Sequence, residues 1–145
     1  EPVPHVVVRD HPWRRLKTTS SERAIPLVGA SLWAAASVVD NCRENSGAAF
    51  PRYTSATATN SNSASAALNK WLKARVASGA VVHSFRHSLR DRLRAVGCPG
   101  DVADAIGGWT TSGIGSSYGA GYPLETKAGW LQKIVLSPDP RSEER

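Results

Sequence analysis

His83-Ser84-Phe85-Arg86-His87-Ser88-Leu89-Arg90-Asp91-Arg92-Leu93-Arg94-Ala95-Val96-Gly97 is the stretch from which the rest of the chain can be read. Phe85, Leu89, Leu93 and Val96 recur at i, i+4, i+8 and i+11, a spacing that gathers apolar side chains on one helical face for burial. Arg86, Arg90 and Arg94 line the adjacent face, so one helix is expected to offer a core side and a basic side. Downstream, Pro99-Gly100-Asp101 restarts the chain, with Asp101 expected to cap a short helix through Ile106 that Gly107-Gly108 ends. Leu124 to Leu136 reads as a last helix, stopped by Ser137-Pro138-Asp139-Pro140.

Working upstream, His5-Val6-Val7-Val8-Arg9 reads as a short β segment, and Asp10-His11-Pro12 as a break after it. Trp13-Arg14-Arg15-Leu16-Lys17 and Arg23-Ala24-Ile25-Pro26-Leu27 flank a polar Thr18-to-Glu22 turn, which predicts a β-hairpin with Lys17 at its rim. Pro26 suits a strand end or edge, where no ladder donor is required. From Ser31, an expected N-cap, Leu32 through Arg43 has high helical propensity, with Gly47 as the stop. The Ser, Thr, Asn and Ala-rich stretch from Thr54 to Ala67 begins as a loop and leads into a helix carrying Leu68, Trp71 and Leu72, ending near Gly79. The expected fold is therefore α+β and mostly helical, with a small antiparallel sheet near the N-terminus. Residues 1–136 form the domain and 137–145 a frayed charged tail.

Composition narrows the functional classes. The chain has 145 residues, 18 Lys and Arg against 12 Asp and Glu, and a formal charge of +6, which favours a polyanionic partner. Leu, Ile, Val and Phe make only 29 of the 145 residues, so the five tryptophans and many alanines must help fill a modest core. There is no apolar run long enough to span a membrane and no signal-peptide pattern at Glu1-Pro2-Val3-Pro4, so a cytoplasmic protein without a membrane partner is expected. Cys42 and Cys98 lack metal-site or redox spacing and read as small buried apolar residues. The absence of methionine suggests a piece of a longer translated chain.

Several residues combine chemistry with position. His83, three residues ahead of Arg86, puts an imidazole near a guanidinium, a natural cradle for a phosphate held bidentately by Arg. A solvated charged face is the plain alternative for the basic helix. His83 and His87 at i, i+4 have the spacing of metal ligands, but no Glu, Asp or Cys beside them completes a shell, so no metal is expected. Gly107-Gly108-Trp109 reads alone as a helix stop before a core tryptophan, and Tyr118 alone as a surface aromatic. The order of Lys17, His83-x-x-Arg86, Trp109 and Tyr118 adds what no single box carries.

That set resembles the catalytic domain of the tyrosine recombinases, the phage integrase family, over nearly the whole chain. Lys17-Thr18-Thr19-Ser20-Ser21-Glu22-Arg23-Ala24-Ile25-Pro26-Leu27 is similar to the family's lysine hairpin. His83-Ser84-Phe85-Arg86-His87-Ser88 resembles its His-x-Leu-Arg-His-Thr box, with Phe for Leu. Ile106-Gly107-Gly108-Trp109 is similar to its Leu-Gly-His box, where Trp is accepted for His, and Tyr118 falls where the nucleophile is expected.

The resemblance implies an integrase-like DNA breaking-rejoining fold and site-specific recombination of double-stranded DNA without a cofactor or small-molecule substrate. Tyr118 would be the nucleophile, with Tyr122 the next candidate. Arg86 would bind the non-bridging oxygens, Lys17 would protonate the leaving oxygen, His83 would assist proton transfer, and Trp109 would donate its indole N–H. His87 would support these groups, while Arg14, Arg15, Arg90 and Arg94 would contact the DNA backbone. Assembly as a homotetramer on DNA is implied too, in a bacterial or phage setting. The chain departs from the pattern in one respect: the Gly-x-Arg-x-x-Glu setting that supplies a further arginine upstream of the lysine hairpin is not found in it. The alternative is accordingly a truncated remnant that binds DNA without chemistry; an unrelated basic helical protein binding RNA or an acidic partner is a third reading.

Overall fold

Leu93 and Ile106 are the side chains most completely withdrawn from water, at 0% and 1% exposure, and the fold is organised around them. The computed structural model describes residues 2–12, 14–16, 21–44, 47–55, 57–76, 79–109 and 121–136. In chain order these form β1 (His5–Val8), β2 (Arg23–Pro26), α1 (Gly29–Glu44), a 3₁₀ turn (Pro51–Tyr53), α2 (Ser61–Lys73), α3 (Ser84–Ala95), α4 (Gly100–Gly107) and α5 (Leu124–Gln132). The class is α+β, with a two-stranded antiparallel sheet, as the sequence leads one to expect. The tail at 137–145 lies outside the described residues.

The sheet corrects one expectation. β2 pairs with β1, in the register His5↔Pro26, Val6↔Ile25, Val7↔Ala24 and Val8↔Arg23, and not with the described residues 14–16 of the expected partner strand, of which 13 and 17 lie outside the described residues. Three consecutive valines favour an extended backbone more than the Arg14-Arg15 pair does. His11 and Arg14 close a tight turn after β1 through two backbone hydrogen bonds of 2.9 and 3.0 Å, so neither Arg14 nor Arg15 belongs to the sheet. Pro26 ends its strand as expected.

The helices follow local signals with shifts at their ends. α1 begins at Gly29, before Ser31; the Ser31 hydroxyl reaches back to accept from the Val28 N–H at 3.0 Å instead of serving as N-cap. Leu32, Trp33 and Val39 of α1 are exposed, so propensity makes this helix with little burial. Asn60 caps α2 by accepting from the Ser63 N–H at 3.0 Å, and the helix stops at Lys73, short of Gly79. The N-cap of α4 is Pro99, with Asp101 in the first turn, where its charge suits the positive end of the helix. α5 ends at Gln132, four residues before Leu136.

The core is small and lies in the C-terminal half. Leu93, Cys98, Val102, Ala103, Ile106 and Leu131 form it, and Ile25, Val28, Leu89, Val96, Trp130 and Ile134 pack partly buried around it. Cys98 is buried as expected, whereas Cys42 is only partly covered. Phe85, expected in the apolar stripe, is 65% exposed because the cluster meets α3 only from Leu89 onward. Arg92 reaches from α3 to the Ile134 carbonyl beyond α5, joining the two helices. Lys127 is buried on α5 and its ammonium donates to the Ala24 carbonyl of β2 at 2.7 Å, which ties the sheet to the helical core. Among the described residues no helix is long and apolar enough to cross a membrane.

Two measurements check this packing. Leu93→Ala is expected to cost about 2–5 kcal/mol in denaturant unfolding, against about 0.5 kcal/mol or less for Phe85→Ser. Burial lowers the Lys127 pKa below its ordinary 10.5. Between the lowered value and 10.5 the unfolded chain binds a proton that the folded chain does not, so stability rises with pH across that window. Wild type should therefore gain stability relative to Lys127→Met as pH rises from neutral through that window; a difference flat with pH would show that burial does not tune this group.

Candidate functional site

Arg86 lies in the first turn of α3 and spans to the end of α4, where its Nη1 donates to the Gly107 carbonyl at 2.6 Å and its Nη2 to the Gly108 carbonyl at 3.4 Å. Residues that are 21 and 22 positions apart thus meet through one planar fork. Helix geometry explains the partners: the last turn of α4 leaves carbonyls without intrahelical donors, and a cation is the favoured neighbour there.

The Gly107-Gly108 pair shapes the site. Gly108 turns left-handed at φ 63°, ψ 42°, which ends the helix and sends the chain back so that the Trp109 N–H donates to the Asp104 carbonyl at 3.1 Å. The indole ring then folds over Gly107, where an added Cβ would stand 1.9 Å from a ring carbon. The Arg86 guanidinium lies over the Trp109 ring at 4.6 Å from the centroid and the Arg90 guanidinium at 5.0 Å. Arg90 is oriented in turn by the Asp104 carboxylate at 3.5 Å.

Arg23, which carries no role in the sequence pattern beyond closing the hairpin, joins the site. From β2 its Nε donates to the Ile106 carbonyl at 3.2 Å and its Nη1 to the Ser21 carbonyl at 2.7 Å. Burial, and then the neighbouring Arg86 charge, push its pKa down, which is the electrostatic trace of two guanidiniums brought together. The signal available in the sequence was a basic residue just before Ile25-Pro26-Leu27, but nothing local says that it reaches a helix end 83 residues away.

The other expected residues divide. His83 precedes α3, is exposed, and meets His87 edge-on at 5.1 Å between ring centroids. Its carbonyl accepts from the Arg86 N–H at 3.0 Å, but no contact among the described residues brings its ring to the Arg86 guanidinium. Arg94 is exposed and pairs with Asp91 at 3.7 Å, and Arg14 and Arg15 are exposed apart from the cluster's contacts. Lys17 and Tyr118 lie outside the described residues. Among the described residues no group of three or more His, Cys, Asp and Glu is placed to hold a metal.

Tyr122 is placed, and at the opposite end of α4. Its hydroxyl donates to the Asp101 carboxylate in the first turn of that helix. The hydrogen bond holds the Asp101 carboxyl below its ordinary range and pushes the Tyr122 phenol up. A phenol made harder to ionise, about 9 Å along the helix from the Arg86 contacts, is a poor second candidate for a nucleophile.

Gly108→Ala is expected to destabilise the chain by more than Gly97→Ala. Both positions have positive φ, at 63° and 73°, which costs about 1–2 kcal/mol for a residue with a Cβ. Only at Gly108 would that Cβ also meet the Arg23 guanidinium, at 2.4 Å, while Gly97 has nothing within 4 Å. Equal losses in denaturant titrations would show that Arg23 moves aside freely. In comparison with known proteins, no family model, no curated protein and no solved structure matches the chain.

Proposed function

We propose that this chain is part of a tyrosine-recombinase-type enzyme, which cleaves and rejoins duplex DNA through Tyr118. The observation that carries the reading is the meeting of two sequence boxes in space: Arg86 of His83-x-x-Arg86 binds the carbonyls of Gly107 and Gly108 and lies over Trp109. A guanidinium oriented in this way, beside an indole, suits the non-bridging oxygens of a phosphodiester.

In this reading the Tyr118 oxygen attacks the phosphorus in line and its phenolic proton passes to a base, a role His83 would fill. The P–O5′ bond breaks as Lys17 gives a proton to the leaving 5′ oxygen, and a 3′-phosphotyrosyl ester remains. Attack by a 5′ hydroxyl reverses the step, so rejoining draws on the bond energy stored in the ester and needs no ATP. Arg86 offsets the charge that develops on phosphorus-bound oxygen, and removing such a donor typically slows the chemical step by about a hundredfold or more. The integrase-like fold, several copies acting on paired DNA sites, and a cytoplasmic, nucleoid-associated location belong to the same reading.

The alternative, a DNA-binding remnant without chemistry, draws on the exposed His83 ring, which among the described residues has no contact with Arg86. Both readings meet in one assay. Nicked duplexes with randomised cores are incubated with the chain, alone and extended upstream, and denaturing gels are read for a protein–DNA adduct. The recombinase reading expects an adduct that Tyr118→Phe abolishes, Tyr122→Phe retains and Arg86→Gln reduces about a hundredfold. An adduct that persists in Tyr118→Phe removes that residue from its role. No adduct with either form, together with salt-sensitive DNA binding, favours the remnant.

A further inference from the structure

Arg23 and Arg86 come from elements far apart in sequence, yet they bond successive carbonyls at one helix end: Ile106 to Arg23, and Gly107 and Gly108 to Arg86. Gly108 lacks the Cβ that would strike the Arg23 guanidinium, so Arg23 occupies the space that this glycine leaves, beside the carbonyls that Arg86 holds. Neither guanidinium has a carboxylate partner among the described residues, whereas the neighbouring Arg90 has Asp104 and Arg94 has Asp91. A guanidinium has five N–H donors. Arg23 and Arg86 each use two on carbonyls of the described residues, which fixes their planes and leaves further donors on each. Two adjacent like charges, partly buried and held in orientation by carbonyls, form an arrangement that an anion between them stabilises.

We propose that Arg23 and Arg86 together clamp a single phosphate group, so that Arg23, on β2, supplies a second phosphate-binding arginine. This rests on the phosphodiester reading for the source of the phosphate, and it removes the need for an arginine upstream of the sheet. Arg23 contacts the phosphate directly; Ser21, Ile106 and the glycine pair hold it and its partner in place. A bare structural strut between β2 and α4 is the competing explanation, and it leaves Arg23 without effect on anion affinity.

The test uses the 145-residue chain and inorganic phosphate, at fixed ionic strength. Phosphate should raise the melting temperature in a saturable way. Arg23→Lys and Arg86→Lys, which keep the charge but lose the fork, should each weaken phosphate about tenfold, and the double variant should lose much less than the product of the two. In the unmutated chain, the Nε–Hε resonances of both arginines should shift with phosphate along one binding curve, a measurement that does not depend on the variants folding. Phosphate affinity unchanged in Arg23→Lys while Arg86→Lys loses it, movement of the Arg86 resonance alone, or no saturable binding would each overturn the clamp. The two proposals separate cleanly. Phosphate binding that depends on both arginines, without any DNA adduct, keeps the clamp and removes the recombinase; an adduct sensitive to Arg86→Lys but indifferent to Arg23→Lys does the reverse.

Discussion

The C-terminal turn of α4 is where the architecture is knotted together. Its carbonyls carry the negative end of the helix dipole, and cations from two other elements are drawn to them: Arg86 from α3 and Arg23 from β2. One helix end therefore orients a strand against a helix that the chain visits some 60 residues later. The hydrophobic core, which lies directly beneath through Ile106, Leu93 and Val102, keeps that end in place. Core and polar contacts thus depend on the same eight-residue helix.

A cluster of three arginines is an unusual device for holding a fold together. Each carbonyl contact satisfies a group left over by helix geometry, but the guanidiniums repel one another, and only Arg90 has a carboxylate of its own among the described residues. Trp109 moderates the repulsion, because the faces of its ring are electron-rich and both Arg86 and Arg90 lie over it. An anion between the guanidiniums would offset that repulsion, and this is the arrangement on which the proposed phosphate clamp draws.

Tyr122 shows how the same helix separates roles by its two ends. The N-terminal turn of α4 carries Asp101, whose carboxylate takes the Tyr122 hydroxyl, while the C-terminal turn collects cations. A tyrosine engaged with a carboxylate is kept protonated, and this is the state in which Asp101 holds Tyr122.

What the chain declared in advance was local. The period of Leu89, Leu93 and Val96 and the Gly107-Gly108 stop placed α3, α4 and part of the core, because helix periodicity and end signals act over a few residues. The same periodicity put Phe85 in the stripe, although only the neighbouring helices settle where burial begins. Tertiary structure alone decided that β2 would take β1 as its partner, that His83 would turn to His87, and that Arg23 would arrive beside Arg86. A strand has no preference for a partner until side chains are packed, and a guanidinium finds an orphan carbonyl 83 residues away only once the whole chain has closed around it.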